Sequence, residues 1–443
     1  MIADLKGRVF FLIAAALVFT ASVSFSENFE SIPSFTRDDN VLILVPHPDD
    51  EAIAASGVIQ EALKAGAKLK IVLYTNGDNN EPAFIIYEKR LTFKRAEFLH
   101  MGEVRRKETI DAMAYLGVDK NNIIFLGYPD FGTMAIMTGY WNSAKPFKSF
   151  FTRSLRVPYP ECLSSGAPYA GQSILKDLKT VISDFKPTKI FVSHPADTSQ
   201  DHRSLYLFLR VALWDLESSI GKPTVFPYLV HAYGWPAPRG YHPKETLEPP
   251  PGLTEVLWEN LALTPEEITQ KYNCILFYKS EIEYNPAYLI TFARKNELFG
   301  DLPTIKLESD AQCVITARNS ANIDDLIKGI AYTREGNDLI IRVNLKRAID
   351  KDFGISVFLL GYSKEKEFAL MPKIHITTDI FRMHIMDKRQ AVLIKGATAL
   401  NKGKTVILKI PLSGLGDPDR ILTSARVAGL PFSHTAWRII KIK

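Results

Sequence analysis

Cysteine is scarce: Cys162, Cys274 and Cys313 are the only three in a chain of 443 residues. Three scattered thiols build neither a disulfide framework nor a structural zinc site of the C-x-x-C kind, so any metal must take His and carboxylate ligands. Excess charge is scarce too. Lys+Arg 54 against Asp+Glu 49 leave +5, too small and dispersed an excess for a nucleic-acid groove, which needs basic residues gathered on one face. Long low-complexity stretches are absent, and with 46% hydrophobic and 23% charged residues most of the chain should fold. Its length favours two or three domains.

Apolar runs of the ~20 residues a spanning helix needs are lacking as well. Val9 to Phe19 comes nearest, preceded by Lys6 and Arg8 and followed by Ser22, Ser24 and Ser26. That layout reads as a secretory signal over residues 1–26, expected to be cleaved after Ser26 and to send the body to the periplasm or medium; a retained anchor is the alternative.

After the leader, Val41-Leu-Ile-Leu-Val45 is a continuous apolar run, as in a strand buried on both faces of a parallel sheet. Ala52, Ala55, Ile59, Ala62 and Leu63 follow at helical spacing, and Leu69 to Tyr74 reads as the next strand. The alternation continues with a helix from Arg105 to Leu116, a strand at Ile123 to Leu126, a helix through Ile174 to Phe185 and a strand at Lys189 to Ser193. It predicts an α/β fold with a Rossmann-like parallel sheet over residues 35–300. Gly127 to Gln172 reads as a long insertion near the site. Beyond about Leu302 the texture changes: Leu339, Ile341, Val343 and Leu345 alternate with Ile340, Arg342, Asn344 and Lys346 after the Gly336-Asn337-Asp338 turn. Further strand-like runs at 355–360, 373–377, 391–394, 405–410 and 437–442 predict a C-terminal antiparallel β-sandwich over residues 302–443.

His47-Pro-Asp-Asp-Glu51 stands where the first strand gives way to its helix, at the sheet edge where open α/β folds hold ligands. His47 and Asp50 can converge on one cation, which leaves Asp49 free. A second cluster, Ser193 to Arg203, follows the fourth strand to the same edge and can supply a further ligand. Two nitrogens, a carboxylate and a water make the open arrangement of a hydrolytic metal site. Taken alone, Asp49 and Asp50 are as readily a helix N-terminal cap, and His194 with Asp197 a turn before the next helix.

At these residues the chain resembles the PIG-L/LmbE family of zinc deacetylases, from Val41 to about Gly300, including Arg105, Glu108, Leu116 and Gly117. The resemblance implies His47, Asp50 and His202 as ligands of Zn2+, with Fe2+ able to take the same set, and Asp49 as the general base. It also implies an N-acetylated sugar or glycoconjugate as substrate; Arg105, Ser199 and His231 are expected to contact it, and Asp201 and His194 to stand beside the ligands. Thr75-Asn-Gly-Asp78 is expected to meet sugar hydroxyls. Ser199 departs from the family, whose members often carry an imidazole there. That departure leaves proton delivery to Asp49, His194 or His231, and it admits a second expectation: a glycan-binding envelope protein without turnover.

Overall fold

The computed structural model describes residues 29–89, 94–308, 313–317, 320, 326–350, 353–380, 382–428 and 433–443. The leader expected over residues 1–26 lies outside the described residues. Eight strands form the first sheet: β1 (Glu30–Ser31), β2 (Asn40–Val45), β3 (Lys68–Thr75), β4 (Ile123–Tyr128), β5 (Lys189–Ser193), β6 (Thr224–Tyr228), β7 (Leu257–Ala262) and β8 (Asn296–Asp301). Their spatial order is β1-β7-β8-β6-β5-β2-β3-β4. From β4 across to β6 the pairing is parallel. β8 runs antiparallel to both β6 and β7, so the sheet is mixed where the sequence pattern predicts parallel pairing. The half-buried β7 mixes Glu and Asn with apolar residues and lacks the apolar run that marks a central strand.

Helices α1 (Asp50–Lys64), α2 (Glu81–Glu88), α3 (Arg95–Tyr115), α4 (Thr133–Gly139), α5 (Gly171–Phe185), α6 (Gln200–Asp215) and α7 (Pro265–Ile275) accompany the strands. α3 starts at Arg95, so Arg105 sits in mid-helix rather than near a helix start as its sequence context predicts. Gly102 does not break the helix. It admits the Tyr159 hydroxyl, which a Cβ there would meet at 2.3 Å.

After β2 the chain crosses to β3 on one side, while β5 lies on the other. The carboxyl ends of β2 and β5 therefore bound the crevice where strand order reverses, the ligand position of open α/β sheets. Val41 to Val45 are wholly buried, which fixes the floor of that crevice.

Beyond β8 the chain forms two further sheets. One, of five strands, orders 313–317, 327–335, 338–345, 405–411 and 398–402; the other, of seven, orders 390–391, 383–387, 373–378, 355–362, 420–427, 438–441 and 305–306. All pairings are antiparallel except that of Ile305–Lys306 with the last strand. Ile341, Val343 and Leu408 meet Leu359, Ile376 and Ile440 in one core between them, which makes a sandwich. The outer face of the seven-stranded sheet is also covered: Leu360, Tyr362, Phe368 and Trp437 join the core of the α/β part. Phe368 packs edge-on against Trp141 at 5.0 Å.

Candidate metal centre

The parallel strands deliver polar groups to one edge. β2 is followed by His47, Asp49 and Asp50, β4 by Asp130, β5 by Asp197 and His202, and β6 by His231. His47 Nδ1, Asp50 Oδ2 and His202 Nε2 converge: His202 Nε2 lies 3.2 Å from Asp50 Oδ2 and 3.3 Å from His47 Nδ1, and His47 Nδ1 lies 3.4 Å from Asp50 Oδ2. A tetrahedron with metal–ligand bonds of ~2.0–2.1 Å has edges of about 3.3–3.4 Å, so the three atoms fit three corners of one cation site.

Two other groups come equally close, Asp197 with His202 and His231, and His47 with Asp130 and Asp201. In each group one carboxylate, Asp197 or Asp201, is already engaged. Asp197 accepts from the backbone N–H of Ser199, Val230 and His231 at 2.8, 3.1 and 2.9 Å. Asp201 accepts from the backbone N–H of Phe131 and Thr133 at 2.7 and 3.2 Å, and from the Thr133 hydroxyl. These carboxylates instead orient the imidazoles. Asp197 Oδ2 stands 3.2 Å from His202 Nδ1, while His47 Nε2 faces Asp130 at 3.2 Å and Asp201 at 3.4 Å. A carboxylate behind each imidazole fixes the ring and raises its basicity as a ligand.

The electrostatics suit a cation. Burial would lower the His202 pKa, but Asp197 and Asp50 outweigh it and hold it at about 9. Burial is likewise overcome at His47 by Asp130, Asp201 and Asp50, which raise its pKa well above the usual imidazole value. Burial would raise Asp50, yet His202 and His47 hold it below the usual carboxylate range. Around His47 and His202 stand Asp50, Asp130, Asp197 and Asp201, an acidic excess that a divalent cation neutralises.

Asp49 is not one of this group. Its φ of 119° is strained for any residue but glycine, and its carboxylate meets the Arg105 guanidinium at 3.1 Å. Arg105 is buried and also donates to the carbonyls of Pro48 and Gly77 at 2.8 and 3.1 Å and pairs with Glu281 at 3.1 Å. Gly77, at φ 65°, leaves it room, since a Cβ there would meet Nη1 at 2.3 Å. Burial raises the Asp49 pKa well above the usual range, and Arg105 opposes the shift. The Asp49 side chain keeps 13% of its surface open against 1% for Asp50, so a solute can reach it.

Arg105 and Glu108 form no pair with each other: Glu108 accepts from the Ser280 N–H and hydroxyl. Thr75 and Asp78 are buried, Thr75 donating to the Pro46 carbonyl and Asp78 accepting from Tyr159 at 2.6 Å. They buttress the edge. His231, 36% exposed, holds Asp197 through Nδ1 at 3.2 Å, and its ring centroid is 4.7 Å from that of His202. The Ser199 hydroxyl does not cap α6. Asp130 and Glu281 are absent from the sequence-based expectations. Asp130 carries an overlooked signal, a carboxylate directly after a parallel strand. Glu281, on the four-residue helix Lys279–Ile282, carries none.

His194 is fully buried outside the ligand triangle, stacked on Trp258 at 5.8 Å. Burial lowers its pKa to about 4, and that of His375, in the sandwich, falls to about 4 for the same reason. A histidine with a depressed folded pKa stabilises the fold fully above its unfolded value of ~6.5 and loses that stability as pH falls through the folded pKa. Between pH ~6.5 and ~4 each contributes a loss on the order of 3 kcal/mol. Denaturant midpoints across this window should fall less steeply in His194→Gln than in the wild type, and parallel curves would remove His194 as a source of the slope.

The fold and site define an open α/β domain with a His/His/Asp group of cation-site geometry at its topological switch point. Residues 42–213 form a domain of the PIG-L family, described as GlcNAc-PI de-N-acetylase. Among solved structures, the N,N'-diacetylchitobiose deacetylase from Pyrococcus horikoshii is 17% identical, over 55% of this chain and 72% of its own, with a TM-score of 0.35. The A40926 pseudoaglycone deacetylase Dbv21 is 16% identical, over 59% and 95%, with a TM-score of 0.37. GalB, the 4-carboxy-2-hydroxymuconate hydratase of Pseudomonas putida KT2440, is 16% identical, over 56% and 82%, with a TM-score of 0.34. Likenesses of this extent say nothing of substrate. No curated protein sequence matches the chain significantly.

Proposed function

We propose that this chain is an exported, zinc-dependent N-deacetylase that hydrolyses an acetamide on an amino sugar or glycoconjugate, giving acetate and a free amine. The reading rests on the 3.2–3.4 Å triangle of His47, Asp50 and His202 beside the accessible carboxylate of Asp49, inside a PIG-L domain. When bound, zinc supplies a Lewis acid for the acetamide carbonyl and lowers the pKa of a water toward ~7; ferrous iron suits the same donors. Asp49 takes a proton as water attacks the carbonyl carbon and returns it to nitrogen as the C–N bond breaks. Arg105 keeps the Asp49 carboxylate aimed. His231 and Ser199 are positioned to contact substrate. Phe131 and Tyr233, 69% and 67% exposed, follow Asp130 and His231 in the chain and offer ring faces to a sugar. Export rests on the leader, and a site of action in the envelope or medium follows from it.

Acetate release from a panel of N-acetylated sugars and glycan fragments tests the reading. Release should stop on chelation and return with added zinc. Sugar binding without release from any substrate would instead favour a glycan-binding protein, the reading that Ser199 supports.

A further inference from the structure

Gln200 and Arg203, three residues apart on α6 and so on one helix face, line a second pocket. It has a volume of about 250 Å3 and lies between α4, α6 and the outer face of the seven-stranded sheet, where Phe358, His375, Arg426 and Trp437 form the opposing wall. Its chemistry is one-sided. Arg203 and Trp437 are each only 3% exposed. Arg203 Nε, Arg426 Nε, Trp437 Nε1 and His375 Nε2 are all buried without a hydrogen-bond partner among the described residues. None of the described residues lining the pocket is acidic.

Buried donors without acceptors are costly, and buried guanidinium groups without a counter-charge more so. Burial lowers the Arg203 pKa to about 10; Asp197 and Asp201 draw it up from a distance and Arg426 pushes it down. Burial lowers Arg426 as well. Its guanidinium lies 5.4 Å from the Phe358 ring, and Phe358 stacks on His375 at 4.3 Å, so an aromatic floor holds the wall in place. What the cluster lacks is an acceptor with several oxygens, which guanidinium forks bind through paired N–H groups.

We propose that this pocket binds an oxyanion: a phosphate, sulfate or carboxylate group, free or carried by a sugar. The site is separate from the metal centre, although Arg203 adjoins His202 in the chain, and the inference stands whether or not the protein is a deacetylase.

Calorimetric titration of inorganic phosphate and of glucose 6-phosphate into the full metal-loaded chain, and into Arg426→Gln at equal metal content, tests it. Comparison at equal metal content cancels any binding at the metal. The variant should bind at least about 10-fold more weakly, while its melting temperature without anion stays at or above that of the wild type, because one of two repelling charges is gone. Tighter binding of glucose 6-phosphate than of phosphate would assign a sugar-borne group, and equal binding a free oxyanion. Should Arg426→Gln not fold, Arg426→Lys, which keeps the charge and loses the fork, should still weaken binding. Absence of binding to the wild type at millimolar anion, or affinity unchanged by either substitution, would overturn the proposal.

Discussion

Asp49→Asn should abolish acetate release, by about 10²–10⁴-fold, without loss of bound metal. The amide keeps the shape of the carboxylate but cannot accept the proton of the attacking water. The three candidate ligands are left untouched. Arg105 would keep Glu281 and the carbonyls of Pro48 and Gly77, so its place in the fold survives loss of the Asp49 charge. Turnover and metal content measured on the same preparation separate the outcomes. Substantial turnover at full metal occupancy would move the base elsewhere, with His231, whose ring centroid lies 4.7 Å from that of His202, a candidate, and joint loss of metal and activity would make Asp49 part of the metal's own support.

Lys271→Met should lower the stability of the fold by about 3–5 kcal/mol. Lys271 and Glu297 are each 1% exposed and pair at 2.7 Å. The same Glu297 carboxylate accepts from the N–H groups of Gly57 and Val58 in α1, at 2.8 and 3.2 Å, which ties α7, β8 and the helix carrying Asp50 into one unit. Removing the ammonium strands a buried carboxylate, and that penalty exceeds the net strength of the pair itself. Urea midpoints of the single variant and of Lys271→Met with Glu297→Leu give the test. The double variant should recover part of the loss because no charge remains unpaired; equal loss in both would assign the effect to packing around Lys271.

Much of this architecture is legible in the sequence because buried parallel strands write themselves as apolar runs. Val41 to Val45 and Lys189 to Ser193 identify β2 and β5, and strand–helix alternation then brings together His47 and His202 from distant parts of the chain. The antiparallel pair β7 and β8 is less legible, since polar residues interrupt both strands and neither carries such a run. The sandwich shows in the alternation of Leu339, Ile341 and Val343, which have a core on one side. The docking of the seven-stranded sheet does not. Along 420–427 both faces are covered, and Leu422, Thr423, Ser424 and Ala425 are all buried, which erases the alternation that would have marked an outer face. Around the site, Glu281 comes from a short helix with no local signature, whereas Arg105 is legible by resemblance and its four contacts only from the fold.

The backbone of Asp49 has a consequence for how this position tolerates change. At φ 119°, glycine would rest there without the strain of roughly 1–3 kcal/mol that such conformations impose on other residues. Sequences drifting under pressure for thermal robustness alone would gain by taking glycine and would give up the carboxylate. Retention of aspartate in this turn among close homologues would therefore separate lineages that keep the chemistry from those that keep only the scaffold.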